Sequence, residues 1–231
     1  MDRIDKILAN LGYCSRSEAC AFLRNVRVTA ALRRITNPSE KVDINSVGID
    51  GEPLDHPHGV IVILNKPAGV VCSHDGSEGK RIYDLLPSRW MRRNPKPSSV
   101  GRLDKDTTGV LLVTDLTKVN HALSSSRRGI EKVYRATLDK PVSPDLAVAF
   151  ASGTVLLKGE KTPCLPAQLR ITGEYSAEIT LTEGRYHQVK RMFLHFGYAV
   201  LQLHRSRFGT YTVDEIPEGT FIETTWTPDG A

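Results

Sequence analysis

Ile4, Ile7, Leu8 and Leu11 recur at the three- and four-residue spacing of one helical face, and Gly12 follows where such a helix would end. A second helix is predicted directly after it. Ser15-Arg16-Ser17-Glu18 spells a capping box, in which a serine hydroxyl and a glutamate carboxylate each satisfy a free backbone N–H, and Ala19, Phe22 and Leu23 supply the buried face. Between residues 48 and 59 periodicity gives way to turn formers, including Gly48, Pro53, Pro57 and Gly59. The pattern therefore divides the chain into a small unit over residues 1–47, a linker over 48–59 and a larger unit over 60–231.

The larger unit opens on Val60-Ile61-Val62-Ile63-Leu64, a continuous apolar, mostly β-branched run that reads as a buried strand. Further strands are predicted over 110–114, 133–138, 167–171, 177–181 and 200–203, several of them alternating: Ala177, Ile179 and Leu181 share one face, Glu178 and Thr180 the other. Val189, Met192, Phe193 and Phe196 form a helical stripe that Gly197 closes. Because few helices separate the strands, the fold class is α+β: a small α/β unit, then a mixed, mostly antiparallel sheet with helices against one face. No GxGxxG or Walker loop points to a doubly wound nucleotide fold.

With 40% hydrophobic and 25% charged residues the composition is that of an ordinary globular protein, and no apolar run approaches the roughly 20 residues of a membrane helix. The first residues, Met-Asp-Arg-Ile-Asp-Lys, lack the basic and apolar stretches of a secretory signal. Cys14, Cys20, Cys72 and Cys164 form no CxxC pair, which suits reduced thiols in a cytoplasm. The formal net charge is +5, and residues 1–46 hold eight Lys or Arg against five acids, so more than half of the excess lies there. Arg16 and Arg24 flank the apolar face of the second helix and Arg27 follows it, while Arg3 and Lys6 belong to the first; together they offer a basic surface to phosphates. The basic, proline-rich stretch over 89–97 is either a further RNA contact or ordinary surface.

Candidate chemistry concentrates in Gly101-Arg102-Leu103-Asp104-Lys105-Asp106-Thr107-Thr108-Gly109, a loop that runs straight into an apolar strand. From the residues alone Asp104 and Asp106 are open to three readings, a phosphate-repelling surface, which is the commoner case, a metal pair, or a nucleophile with a bystander, and sequence logic does not separate the two. Lys190 and His187, three apart on one helical face with Arg185 just before, place a basic surface nearby: between Gly184 and Arg207 there are five Lys or Arg and no acid. The histidines show no ligand spacing, and no metal is predicted.

Two resemblances sharpen this. Residues 2–46 resemble the alpha-L RNA-binding motif, departing from it where Asn25 stands for a glycine after helix two and Thr29-Ala30-Ala31-Leu32 replaces an Asn-Gly turn, which leaves the hairpin open. The 101–109 segment, with Asn65-Lys66-Pro67-Ala68-Gly69, Glu131-Lys132-Val133-Tyr134, the run from Glu183 to Phe193, and Leu203-His204-Arg205, resembles the pseudouridine synthases, in a branch that includes an enzyme of small-subunit ribosomal RNA. That resemblance implies Asp104 as the catalytic carboxylate, Lys190 as its cationic partner and Tyr134 stacked on the flipped base. It also implies Arg102 filling the gap the base leaves, Leu203 as an apolar wall and Arg185 and His187 as substrate contacts.

The activity so implied is isomerisation of a uridine without any cofactor, in ribosomal RNA of an assembly intermediate, by a cytoplasmic monomer. Small-subunit RNA is favoured over large-subunit RNA because the chain ends soon after its last expected strand, without a long basic tail. Two other classes compete: a non-catalytic RNA-binding assembly factor, and a glycosidase-like enzyme that would pair Asp104 with Asp106.

Overall fold

The protein is described by a computed structural model over residues 1–125 and 128–226. Its first unit carries β1 (Asp2–Arg3), α1 (Ile4–Asn10), α2 (Ala19–Asn25), β2 (Val28–Ala30), β3 (Arg33–Arg34), β4 (Lys41–Val42), β5 (Val47–Ile49) and β6 (Glu52–Pro53). The capping box forms: Ser15 N donates to the Glu18 carboxylate at 2.8 Å, and Glu18 N to the Ser15 hydroxyl at 3.3 Å. Ile4, Leu8, Leu23, Val28 and Ile35 make the core of this unit. Asn25 does not adopt the left-handed conformation that a glycine at this point would allow; the helix ends on extended Val26. The hairpin does form, with Ala31 at φ 47° and Leu32 at φ 65° in the tight turn between β2 and β3.

The predicted linker starts too early. β5 pairs with β2, and β6 with β5, so residues up to Pro53 complete the small sheet β3-β2-β5-β6. Short strands rich in Gly and Pro carry little periodicity, which is why they read as turns. The remaining connection is docked: Tyr13 Oη accepts from Asp55 N at 3.1 Å and Trp90 Nε1 donates to Asp55 Oδ2 at 2.9 Å. Arg89 pairs with the same carboxylate, lies over the Tyr13 ring at 4.4 Å, and donates to Leu11 O at 2.9 Å. Gly12 permits the approach, since a Cβ there would stand 2.6 Å from the Arg89 carbonyl oxygen. The 89–97 stretch, predicted as RNA contact or plain surface, is thus the seat on which the two units meet.

The second unit carries β7 (Ile61–Lys66), β8 (Ser98–Ser99), β9 (Thr108–Thr114), α3 (Thr117–Ser124), β10 (Lys132–Leu138), α4 (Asp145–Ala151), β11 (Gln168–Gly173), β12 (Ser176–Leu181), α5 (Gln188–His195), β13 (Val200–Phe208), β14 (Tyr211–Thr212) and β15 (Phe221–Glu223). They form a nine-stranded sheet in the order β11-β12-β10-β13-β9-β7-β15, with β14 beside β13 and β8 beside β9. The pairs are antiparallel except β13 with β9, which run parallel in the middle of the sheet. Helices cover both faces rather than one: Leu146, Phe150, Met192 and Phe193 of α4 and α5 join Val62 and Leu64, whereas Val119 and Leu123 of α3 join Ile61 and Ile63. A strand buried on both sides has no polar face, and that is the cause of the continuous apolar run at its start. Among the described residues, no helix is long and apolar enough to cross a membrane.

Candidate active site

The sheet order places β10, β13 and β9 side by side, and that brings together segments far apart in the chain. His204 and Arg205 on β13 pair with Thr108 and Gly109 on β9, and Arg205 is also the cross-strand partner of Tyr134 on β10. Gly109 is required for this contact: at φ 105° it meets β13 so closely that a Cβ would lie 2.2 Å from the Arg205 carbonyl oxygen. The loop before β9 therefore ends at a fixed point. Where these strands meet, a cleft of about 690 Å³ opens, lined by Arg102, Asp104, Tyr134, His187, Lys190 and Leu203 among others, a size suited to a small molecule or a single nucleotide.

Asp104 lies in a turn closed by Thr107 N donating to Asp104 O at 3.1 Å. Its carboxylate faces an imidazole and an ammonium group, with His187 Nε2 at 3.3 Å and Lys190 Nζ at 3.4 Å. Asp106 points outward, its side chain 73% exposed against 25% for Asp104, and it takes the shorter bond from Lys190 at 2.6 Å. Geometry thus separates two aspartates that sequence alone left equivalent: Asp104 borders the cleft, and Asp106 tethers the lysine from outside. The Lys190 hydrogen bond holds the Asp106 carboxyl below its usual value.

The turn before α5 is held by its own side chains. Glu183 accepts from Leu165 N at 2.9 Å, Arg185 Nε at 3.1 Å and Gln188 Nε2 at 2.6 Å, while Gln188 Oε1 accepts from Arg185 N at 2.9 Å. Arg185 borders the cleft, but its guanidinium is engaged elsewhere, donating to Thr162 O at 2.7 Å and Pro163 O at 2.5 Å. In this structure the side chain of Arg185, expected as a substrate contact, braces the turn at the border of the cleft. At the end of that turn His187 adopts φ 48°, a left-handed conformation unusual for a residue with a side chain, and stacks on exposed Tyr186 with ring centroids 3.8 Å apart. Strain of this kind persists only where surroundings over-determine it, as the Glu183 network does here.

Tyr134 and Leu203 are buried walls of the cleft, and Arg102 is exposed at its mouth with no hydrogen bond or ion pair to any described residue. The sequence reading missed the floor. Lys66 is fully buried and donates to three carbonyl oxygens, Pro67 at 3.0 Å, Lys105 at 3.2 Å and Thr107 at 2.8 Å, so it ties down the loop that carries Asp104. Burial lowers its pKa, and the nearby Cys72, Asp106 and Asp104 act in the opposite sense. Lys132 and Arg205 bring two more cations to the cleft wall, Lys132 lowered by burial first and by Arg205 second. Among the described residues no group of three or more His, Cys, Asp or Glu side chains could hold a metal ion.

Of the five basic residues predicted to bind RNA, three are ion-paired: Arg3 with Asp5 at 2.7 Å, Lys6 with Asp2 at 2.9 Å and Arg16 with Asp5 at 3.5 Å. Arg24 and Arg27 are exposed and their side chains have no such partner among the described residues. The predicted basic surface is consequently narrower than a count of charges suggests.

A family described as RNA pseudouridylate synthase matches residues 60–195. The chain is 39% identical over 222 residues to a ribosomal small subunit pseudouridine synthase A of Pasteurella multocida, covering 95% of this chain and 94% of that protein. It is 40% identical over 216 residues to the Escherichia coli protein of the same description, covering 92% and 91%. A crystal structure described as a pseudouridylate synthase matches with a TM-score of 0.67 at 36% identity, over 97% of this chain and 96% of that one.

Proposed function

The chain belongs to the RNA pseudouridylate synthase family, and from that premise we propose that it converts a uridine of small-subunit ribosomal RNA to pseudouridine. The observation that carries the reading is Asp104: a carboxylate at the edge of a nucleotide-sized cleft, beside His187 and Lys190, in the same cleft as Tyr134 and Leu203. The two relatives described as small-subunit enzymes match over nearly their whole lengths, which favours that RNA over the large-subunit one.

The reaction breaks the bond from C1′ of the ribose to N1 of uracil and forms a bond from C1′ to C5; the hydrogen leaves C5 and N1 gains one, so nothing is oxidised and no outside group is consumed. The target must leave the RNA stack to reach a buried cleft. Arg102, exposed at the mouth and unpaired among the described residues, takes its place in the helix. Tyr134 stacks on the everted ring, worth about 1–3 kcal/mol. The Asp104 carboxylate meets the sugar as the glycosidic bond opens, either bonding to it or balancing its positive charge. Lys190 and His187, at 3.4 and 3.3 Å, keep that carboxylate aimed. Arg24 and Arg27, with Arg3, Lys6 and Arg16 beside them, hold flanking phosphates. The same reading has the enzyme working as a cytoplasmic monomer on a partly assembled subunit.

The test uses small-subunit and large-subunit ribosomal RNA transcripts labelled at C5 of uracil. Wild-type protein is expected to release label from the small-subunit transcript; Asp104→Asn is expected to lose at least about 10⁴-fold in rate, the scale at which removal of a reacting group acts, with unchanged melting and RNA affinity. Turnover by Asp104→Asn comparable with wild type refutes the reading, and release from large-subunit RNA alone moves the substrate.

A further inference from the structure

Three buried side-chain atoms among the described residues have no hydrogen-bond partner, and two of them, Arg205 Nη2 and Thr107 Oγ1, belong to residues lining the cleft. Arg205 is 2% exposed and Thr107 1%. Buried polar groups are rarely left unpaired, and those that are call for a reason. Both residues are anchored in ways that leave the orphan atom over. Arg205 Nε donates to Val110 O at 2.8 Å, and its backbone is wedged against Gly109. The Thr107 carbonyl, held by Lys66 Nζ at 2.8 Å, fixes the residue whose hydroxyl stays unused. The guanidinium carbon lies 6.0 Å from the Tyr134 ring centroid and 5.1 Å from that of Phe208, so the free donor stands beside the ring on which the base is stacked.

We propose that Arg205 and Thr107 form the polar end of the base pocket and select uracil, Arg205 Nη2 donating to a ring carbonyl oxygen with the Thr107 hydroxyl beside it. The inference rests on uridine being the substrate. Uracil carries carbonyls at C2 and C4, one on each side of N3–H. Moving the sugar from N1 to C5 requires the ring to turn about its C6–N3 axis, and this exchanges N1 with C5 and one carbonyl with the other. A donor placed at a carbonyl therefore meets an oxygen before the turn and again after it. Cytosine has a carbonyl on one side and an amine on the other, so one of its two orientations sets donor against donor. Arg205 thus admits the right base and keeps hold of it while it is detached from the sugar.

The probe is a transcript carrying the uridine that wild-type protein modifies, together with the same transcript bearing cytidine there. Loss of one hydrogen bond to a charged donor is expected to slow single-turnover reaction of Arg205→Gln by about ten- to a hundredfold, less for Arg205→Lys, and to erase the wild-type preference for binding the uridine transcript. Thr107→Val is expected to slow the same step and Thr107→Ser to restore it, with melting unchanged in both; a purely structural hydroxyl would move melting instead. Should Arg205→Gln fail to fold, the Thr107 pair carries the test. Folded variants that keep the wild-type rate and the wild-type ratio of uridine to cytidine binding overturn the proposal. Failure of the wild-type protein to release label from any ribosomal RNA would instead sink the reading beneath it.

Discussion

Arg93 at the junction of the two units and Arg205 in the cleft are equally hidden, 3% and 2% exposed, yet they are wired in opposite ways. Arg93 gives Nε to Asp115 at 2.6 Å, Nη1 to Asp55 O at 3.2 Å and Nη2 to His56 O at 2.7 Å, so each of its nitrogens has an acceptor. Arg205 gives Nε to one carbonyl and leaves Nη2 with none. Burial alone does not distinguish a structural cation from a ligand-binding one; the completeness of its hydrogen bonding does. Lys66 lies between the two, fully satisfied like Arg93 but beneath the cleft like Arg205.

The largest effect expected from breaking this contrast is at the junction. Arg93→Met leaves the Asp115 carboxylate buried with only the 2.8 Å bond from Val60 N recorded for its other oxygen. Removing one partner of a buried pair costs about 3–5 kcal/mol, which for a chain of this length lowers the melting midpoint by roughly 6–20 °C. Label release per folded molecule should stay near wild type. Unchanged melting with collapsed turnover would place Arg93 with the cleft residues and dissolve the comparison.

Lys66→Met probes the intermediate case. Three carbonyl oxygens lose the lysine, of which Lys105 O keeps the 2.8 Å bond from Gly69 N; a group left unsatisfied costs about 1–3 kcal/mol, and the loop bearing Asp104 loosens. A misplacement of the order of 1 Å can cost about 10²-fold in rate, so turnover at saturating RNA should fall by up to about that factor while the RNA concentration at half-maximal rate changes little. A rise in that concentration with an unaltered maximal rate would show that Lys66 serves binding rather than the placing of Asp104.

Much of this was legible from sequence because it was written locally. The capping box at Ser15 and Glu18, the helical stripe of Val189, Met192 and Phe193, and the alternation of Ala177, Ile179 and Leu181 each depend on residues within a few positions of one another. What escaped depends on distant pairing. Arg93 meets Asp115 and Asp55, and Lys66 meets the carbonyls of Lys105 and Thr107; no periodicity marks such partners. The parallel β9–β13 pair that presents Arg205 joins segments nearly a hundred residues apart. The bracing contacts of Arg185 escaped for the same reason, since its acceptors at Thr162 and Pro163 lie in a loop the pattern left unassigned.

The smallest effect concerns His204, next to Arg205 on β13. Its Nδ1 lies 2.8 Å from Thr108 Oγ1 across the parallel pair. Burial first, then the charge of Arg135, lowers its pKa below the ordinary value of 6.5, against weaker pulls from Glu218 and Asp214. The unfolded chain titrates near that ordinary value, so between the two pKa values it binds more protons than the folded protein, and stability rises with pH there. The contribution is fully present above about pH 6.5 and is lost as pH falls through the depressed folded value. His74, stacked on Tyr83 with ring centroids 3.9 Å apart and lowered mainly by burial, acts with the same sign. Melting midpoints from pH 7.5 downward should therefore fall for wild type and fall less steeply for His204→Asn, with His74→Asn removing a separate share. Equal slopes for wild type and His204→Asn would mean that protonation beside Arg205 is tolerated, and that the cleft wall is less closed to added charge than its partnerless Nη2 implies.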